Sequence, residues 1–430
     1  MQALAHTLRM NCNRLPELVL LFLLGSGAAY GKTEDFQFQG FLSQTIAYAP
    51  DNPFFTEDTG ISYDNRELGL NASWIASDKL RLAGQVLSRQ AGSLDDGDPR
   101  LDFLLLDYNA FVNETWNTGI RLGRVKSHYG LYNSTRDIPH GRPGVFVPRS
   151  VYFESLRSAI LSLDGANAYA SFSGSRADIH VNAFGGSSHF QNDAIEYQLF
   201  QSSAPGKFKD IDGAGLHVVV EPHSLPDLLL AYTYVEFATE YEDAPTFNAA
   251  ERIEAIVALV QDPGLFAQYV TSMEMEASIN LFSAQYTPGD WILSAEYLVI
   301  DIQFKDTTIL DFPMPQDVFR DQNTTLSYYV QAEWQAVEKL SLYTRYEALY
   351  NDKDDKDGSN YAELAGGNPA TQFNRALTLG GRWYFTPDFS ATAEYSRNNG
   401  AAFLNGQSDT SYADLKEDWD LFFLQLSYHF

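Results

Sequence analysis

The chain closes on WDLFFLQLSYHF, residues 419–430, and the spacing within this stretch decides the fold class. Phe422, Leu424, Leu426, Tyr428 and Phe430 fall on one parity, with Gln425, Ser427 and His429 on the other. Strict alternation puts successive side chains on opposite faces of an extended strand, apolar on one side and polar on the other. TTLSYYVQAEWQ (324–335) alternates in the same way, with Leu326, Tyr328, Val330, Ala332 and Trp334 against Ser327, Tyr329, Gln331 and Glu333. In RALTLGGRWYF (375–385), Leu377, Leu379, Gly381, Trp383 and Phe385 oppose Thr378, Gly380 and Arg382.

Outward from these strands, the connections fall into two classes. Tight ones occur at 76–79, 117–119, 173–176, 222–227, 288–290, 337–339 and 387–388. Longer ones lie near 50–60, 90–100, 127–158, 187–210, 241–272, 305–322, 352–373 and 400–417. Tight and long alternate without exception, which predicts about sixteen strands and puts both termini on the short-turn side. The implied fold is all-β, a transmembrane antiparallel barrel with short periplasmic turns and long extracellular loops. Closure removes the free edges that so large a sheet would otherwise expose. Tryptophans at 74, 116, 291, 334, 383 and 419 sit near strand ends, as in the aromatic girdles of membrane interfaces.

Composition agrees with export. Twenty-nine Phe and 25 Tyr dominate the aromatics, and the only cysteine, Cys12, lies in the leader. That leader has basic Arg9 and Arg14, an apolar run at 18–24 and small residues before Gly31. It reads as a signal peptide over 1–31, leaving 32–430 as the barrel domain. The apolar run is too short for a membrane helix. A net charge of −27 argues against a nucleic-acid surface.

With the signal peptide, the alternation over 35–430 and a terminal strand ending on Phe430 with Tyr428 before it, the chain resembles the sixteen-stranded Gram-negative outer-membrane porins. RLGRVK leading into a basic loop gives a weaker resemblance to the anion- or phosphate-selective members. The resemblance implies a passive diffusion channel for small hydrophilic solutes, a homotrimer, and a location in the outer membrane among its lipid and lipopolysaccharide. It also implies that Tyr428 and Phe430 signal to the barrel-assembly machinery, and that the third long loop folds inward to narrow the pore.

That third loop is basic in an acidic chain. From Arg121 to Arg157 there are seven Lys/Arg (Arg121, Arg124, Lys126, Arg136, Arg142, Arg149, Arg157) against Asp137 and Glu154. Parity directs Arg124, Lys126 and His128 to the lumen, with Val125 opposite, and leaves Arg121 at the periplasmic interface. Arg136, His140, Arg142 and Arg149 in the loop, with Arg345 and Arg382 on distant strands, complete the expected constriction. It faces lumenal Glu67, Glu276, Glu296, Glu333, Glu347 and Glu394. Charge at a narrow point biases ion passage, and guanidinium forks suit oxyanions. A modest preference for anionic or neutral solutes follows. The alternative is that these arginines bond loop carbonyls, or pair with Asp137 and Glu154, and hold the loop in shape.

No enzymatic motif emerges, and no cofactor or metal is implied. Aligning Gly358 with the glycine of a calcium loop places Lys353 and Leu364 at ligand positions, so 351–363 reads as a solvated acidic loop. Asn248 followed by Glu251 opens a helix that ends at Pro263–Gly264, and its stripe of Ile253, Ile256, Val257 and Val260 is expected to pack over the pore mouth. The rivals are a structural or adhesive barrel with an occluded lumen, and an outer-membrane barrel hydrolase. A plugged energised receptor is disfavoured by the short lead from Lys32.

Overall fold

A computed structural model describes residues 35–55, 58–189, 194–261, 263–313, 322–407 and 411–430. The leader read over 1–31 lies outside these. Sixteen long strands run in chain order: Phe36–Ala49, Gly60–Ser77, Leu80–Ala91, Arg100–Val112, Trp116–Lys126, Ser162–Ser173, Ala177–Ser188 and Ile211–Pro222 form the first half. Leu228–Glu242, Val270–Tyr286, Trp291–Ile309, Gln322–Val337, Leu340–Tyr350, Phe373–Tyr384, Phe389–Gly400 and Asp418–His429 form the second. Each pairs antiparallel with its neighbours, and the first closes on the last with Phe41 opposite His429 and Tyr48 opposite Phe422. Two-residue strands at Lys207–Phe208 and Phe312–Pro313 extend the ladder into two of the long connections.

The predicted alternation of tight and long connections holds throughout. At the seam, Gly40 and Phe430 exchange both backbone hydrogen bonds at 3.0 Å. A Cβ on Gly40 would meet the Phe430 ring at 2.5 Å, so the terminal aromatic seats against a position with no side chain.

The outward faces carry the apolar band that a bilayer requires. Phe422, Leu424, Leu377, Leu379, Leu104, Leu106, Phe282 and Tyr297 are all exposed. Trp74, Trp116, Trp291, Trp334 and Trp383 are exposed beside short turns, and Trp291 stacks on Trp334 at 5.9 Å. They form a girdle at the short-turn rim only. Trp419, expected with them, is buried at the opposite end and donates its indole N–H to the Gly400 carbonyl at 2.7 Å.

The helix over 249–261 forms as its capping residues predict. Asn248 Oδ1 accepts from the N–H groups of Ala250 and Glu251, while Glu251 accepts from the N–H of Asn248 at 2.8 Å. Its stripe does not pack down: Ile253, Ile256, Val257 and Val260 are all exposed.

Candidate functional site: a loop fastened inside the barrel

Residues 127–161 lie within the barrel, in contact with inward-facing side chains from strands on several sides. Prolines 139, 143 and 148 prevent regular structure over most of this segment, and a single helical turn, Arg157–Leu161, leads out of it. Ordering free backbone costs roughly 1–2 kcal/mol per residue, so such a loop persists only if fastened at many points.

Apolar contacts supply part of the fastening. Tyr129, Tyr132, Val147, Val151, Tyr152 and Phe153 pack with Ile279, Leu281, Leu298 and Tyr329 of the wall. Val145 and Phe146 join a second cluster with Phe54, Phe55, Leu421 and Phe423. Wall carboxylates bind the loop backbone directly. Glu296 accepts from the N–H of Leu131 at 3.0 Å and from the Tyr152 hydroxyl at 2.7 Å. Glu394 accepts from the N–H of Val145, and Glu347 from that of Ser150.

The arginines do the reverse, donating to loop carbonyls and carboxylates. Arg382 reaches the carbonyls of His140, Arg142 and Gly144 at 3.2, 2.9 and 3.2 Å. Arg142 is bound to Glu67 at 2.6 Å and to the carbonyls of Arg136 and Val145. Arg136 pairs with Glu154 at 2.9 Å, and Arg89 of the wall pairs with the same carboxylate at 2.6 Å. Burial pushes the Glu154 carboxyl up, but Arg89, Arg136, Arg157 and Arg142 together outweigh it and hold the group down to about 2. Arg345 contacts Glu347 and Glu394 at 3.4 and 3.8 Å.

Arg149 differs. It is 4% exposed, its guanidinium lies over the rings of Phe54 and Phe403 at 5.5 and 4.8 Å, and neither terminal nitrogen has a hydrogen-bond partner.

The expected constriction residues are therefore mostly gathered at the loop, but Arg136, Arg142, Arg345 and Arg382 are buried as fasteners. Lys126 also turns inward, bonding Asp137 at 2.5 Å and Asp102 at 3.2 Å. His140 stacks on His429 at 3.9 Å with one edge open to solvent, and partial desolvation by the surrounding protein, then His429, Arg382 and Arg142, lower it to about 4.

Parity misplaces two residues at the loop entrance. Arg124 stands opposite Leu104, which is exposed on the outer face, and it pairs there with Asp164 at 3.1 Å. Arg121 points inward instead, bonded to Asp107 at 3.2 Å, with its guanidinium over Tyr169 and 3.4 Å from His128. The aliphatic pair Ile120 and Leu122 sets the outer parity of this strand, and Arg124 follows it. Glu276 is likewise on the outer face, on the parity of exposed Phe282 and paired with Lys305 at 2.5 Å.

Arg89 and Asp102 are fasteners that the sequence reading missed, whereas Tyr152 is one of the loop aromatics expected to pin the loop to the wall. The uneven charge of 121–157 was the available signal, because a basic loop inside an acidic chain needs carboxylate partners on the wall.

No protein-family model matches the chain, and no curated protein sequence does. Solved structures match over nearly its whole length. A loop L8 deletion mutant of OmpT, an outer membrane protein of Vibrio cholerae, is 14% identical, with 92% of this chain and 99% of that one covered at a TM-score of 0.54. The outer membrane channel DcaP of Acinetobacter baumannii is 10% identical, covering 94% and 100% at a TM-score of 0.53. OprB of Pseudomonas putida is 11% identical, covering 92% and 94% at a TM-score of 0.52. Taken with the closure of sixteen antiparallel strands, these likenesses identify the fold as that of the sixteen-stranded outer-membrane porins.

Proposed function

We propose that the protein is an outer-membrane channel through which small hydrophilic solutes diffuse passively, with residues 127–161 narrowing the path. The observation that carries this reading is a closed, outwardly apolar barrel with a polar loop bonded to its inner wall through Glu67, Glu296, Glu347, Glu394 and Arg382. Selection is then by width and field, with no covalent step. A modest anion preference belongs to the same reading. Paired arginines contribute little net field, so it falls mainly to Arg149, whose guanidinium lies over aromatic rings, and to Arg157, both buried with nitrogens that have no hydrogen-bond partner.

The expected partners are bilayer lipid, lipopolysaccharide and, through Tyr428 and Phe430, the assembly machinery. Two copies of the same chain complete a homotrimer. The trimer form described for OmpT of Vibrio cholerae supports that arrangement. Export through a leader over 1–31, leaving a barrel domain of 32–430, is part of the proposal.

The dense packing of the loop favours a second reading, a structural barrel whose lumen is closed. Single-channel conductance of refolded protein in a planar bilayer, with reversal potential under a potassium chloride gradient, decides between them. An open channel is expected. A barrel without conductance overturns the transport reading in favour of the structural one.

A further inference from the structure

Three adjacent strands, Leu228–Glu242, Val270–Tyr286 and Trp291–Ile309, change character along their length. Near the short turns their outer faces are apolar, with Phe282, Tyr286, Leu293 and Tyr297 exposed. Toward the long connections the outer parity carries Glu274, Glu276, Gln303 and Lys305, while Met273, Met275, Ile300, Ile302 and Phe304 take the inner parity. Such an outer surface suits water or headgroups rather than hydrocarbon, so this part of the wall stands at or above the bilayer surface. Inside a water-filled pore, polar residues would be expected at the inner positions.

These inner side chains border a cavity of about 550 Å³ on the extracellular side of the loop, with Phe153, Leu156 and Ile160 as its floor. That volume falls in the range of small-molecule sites, which are mostly apolar with a few polar groups to orient the ligand. The polar groups include the carboxylates Asp352 and Asp355 and neutral side chains, among them Gln201, Asn323, Thr325 and Asn351. Among the described residues the lining includes no Lys, Arg or His. An apolar body is thus accommodated beside neutral polar groups and negative charge, and an anionic end finds no cationic partner.

We propose that this chamber binds a small amphiphile with an apolar body and a neutral or cationic polar end, received from the extracellular side. Onward passage of the ligand past the loop rests on the channel reading, whereas binding does not. The site favours a different charge from the one Arg149 favours at the loop. The two would act in series, the chamber holding the apolar part of a solute and the loop filtering by width and charge.

The test is equilibrium binding to protein in lipid nanodiscs, with empty nanodiscs subtracted, using three probes of one body: 2-naphthol, 1-naphthylmethylammonium and naphthalene-2-sulfonate. The neutral and cationic probes are expected to saturate at one per chain, with the sulfonate about tenfold weaker, as for an ionic end without a partner. Met275→Lys should reverse the order of cation and sulfonate. Ile279→Trp, which fills space without adding charge, should weaken all three. Heat-modifiable gel mobility confirms that each variant is a folded barrel. Equal or tighter binding of the sulfonate by the unaltered protein overturns the proposal, and so does binding that neither variant alters. Conductance is measured on the same preparations. Binding without conductance removes the channel reading alone, and conductance without binding removes the chamber alone.

Discussion

The loop inside the barrel has two unlike faces. Toward the strands Gly60–Ser77 and Leu80–Ala91 it is ionic, with Arg142 on Glu67, Arg136 on Glu154, and Arg89 touching both carboxylates. Toward the strands 228–309 it is mainly apolar, with Glu296 bonded to Leu131 and Tyr152, and beyond Phe153, Leu156 and Ile160 lies unfilled volume. On the ionic face the charges are paired, so each group there depends on its partner. The apolar face is under-filled, so its side chains are held less tightly by their neighbours. Substitutions should therefore cost most stability on the ionic face and alter ligand recognition most on the apolar one.

The largest effect is expected at Arg142. Arg142→Ala leaves Glu67 with the Ser43 hydroxyl at 3.1 Å and the longer contact to Arg89 at 3.5 Å, and strands the carbonyls of Arg136 and Val145. Removing one partner of a buried pair costs about 3–5 kcal/mol. Limited proteolysis should then cut within 127–161, and single-channel records should show a larger, noisier conductance. The double change Arg142→Met with Glu67→Gln should recover most of the loss. If it does not, the ionic face owes its strength to shape rather than charge.

Acid probes the same face. Glu154 has a folded value of about 2 against an ordinary 4.5, so its contribution is present above about pH 4.5 and is lost as pH falls through 2. Two and a half units correspond to about 3 kcal/mol. Thermal unfolding followed from pH 6 to pH 2 should show a falling midpoint, and Glu154→Gln should flatten that fall. An equal slope in the variant would move the acid sensitivity to other carboxylates.

On the apolar face, Leu281 and Ile302 form a matched pair of tests. Leu281 is fully buried in the cluster that grips Tyr129 and Tyr152, whereas Ile302 borders the chamber. Leu281→Ala should cost about 2–5 kcal/mol, the range for packed sites. Ile302→Ala, enlarging space that is already open, should cost about 1 kcal/mol or less. Similar losses in denaturant unfolding would mean that the chamber is packed in solution.

The architecture was legible because it depends on local, repeated signals. Period-two alternation and a strict rhythm of connections report strand number without knowledge of which strand meets which. Asn248 and Glu251 announced their helix for the same reason, since a cap is made within four residues. What escaped required three dimensions. Pairing with Glu154, which holds Arg136, was one of the two readings open in the sequence, but Arg142 is set by Glu67, which lies far away in sequence. The outward turn of Arg124 was readable from Ile120 and Leu122, but charge at the loop end outweighed them in the sequence reading. The inverted halves of the strands 270–286 and 291–309 were also visible in the alternation of Met273, Glu274, Met275 and Glu276. Their meaning depended on knowing how high the wall rises above the membrane, which alternation does not record.

The smallest stability effect is expected at Arg149, which like Arg157 is buried with side-chain nitrogens that have no hydrogen-bond partner. Its charge is buried without a contacting carboxylate, which is costly, and the rings of Phe54 and Phe403 return about 0.5–2 kcal/mol through their π faces. Met fills a similar volume between the same rings and removes the desolvated charge. Arg149→Met should therefore change stability by no more than about 1 kcal/mol in either direction. The reversal potential is where the substitution should register. If Arg149 supplies the field at the loop, its removal shifts the potential toward cation preference, while the paired substitution Arg142→Met with Glu67→Gln, which removes one charge of each sign, leaves it nearly unchanged. A shift in the second variant and none in the first would return selectivity to the ionic face and make Arg149 a packing residue.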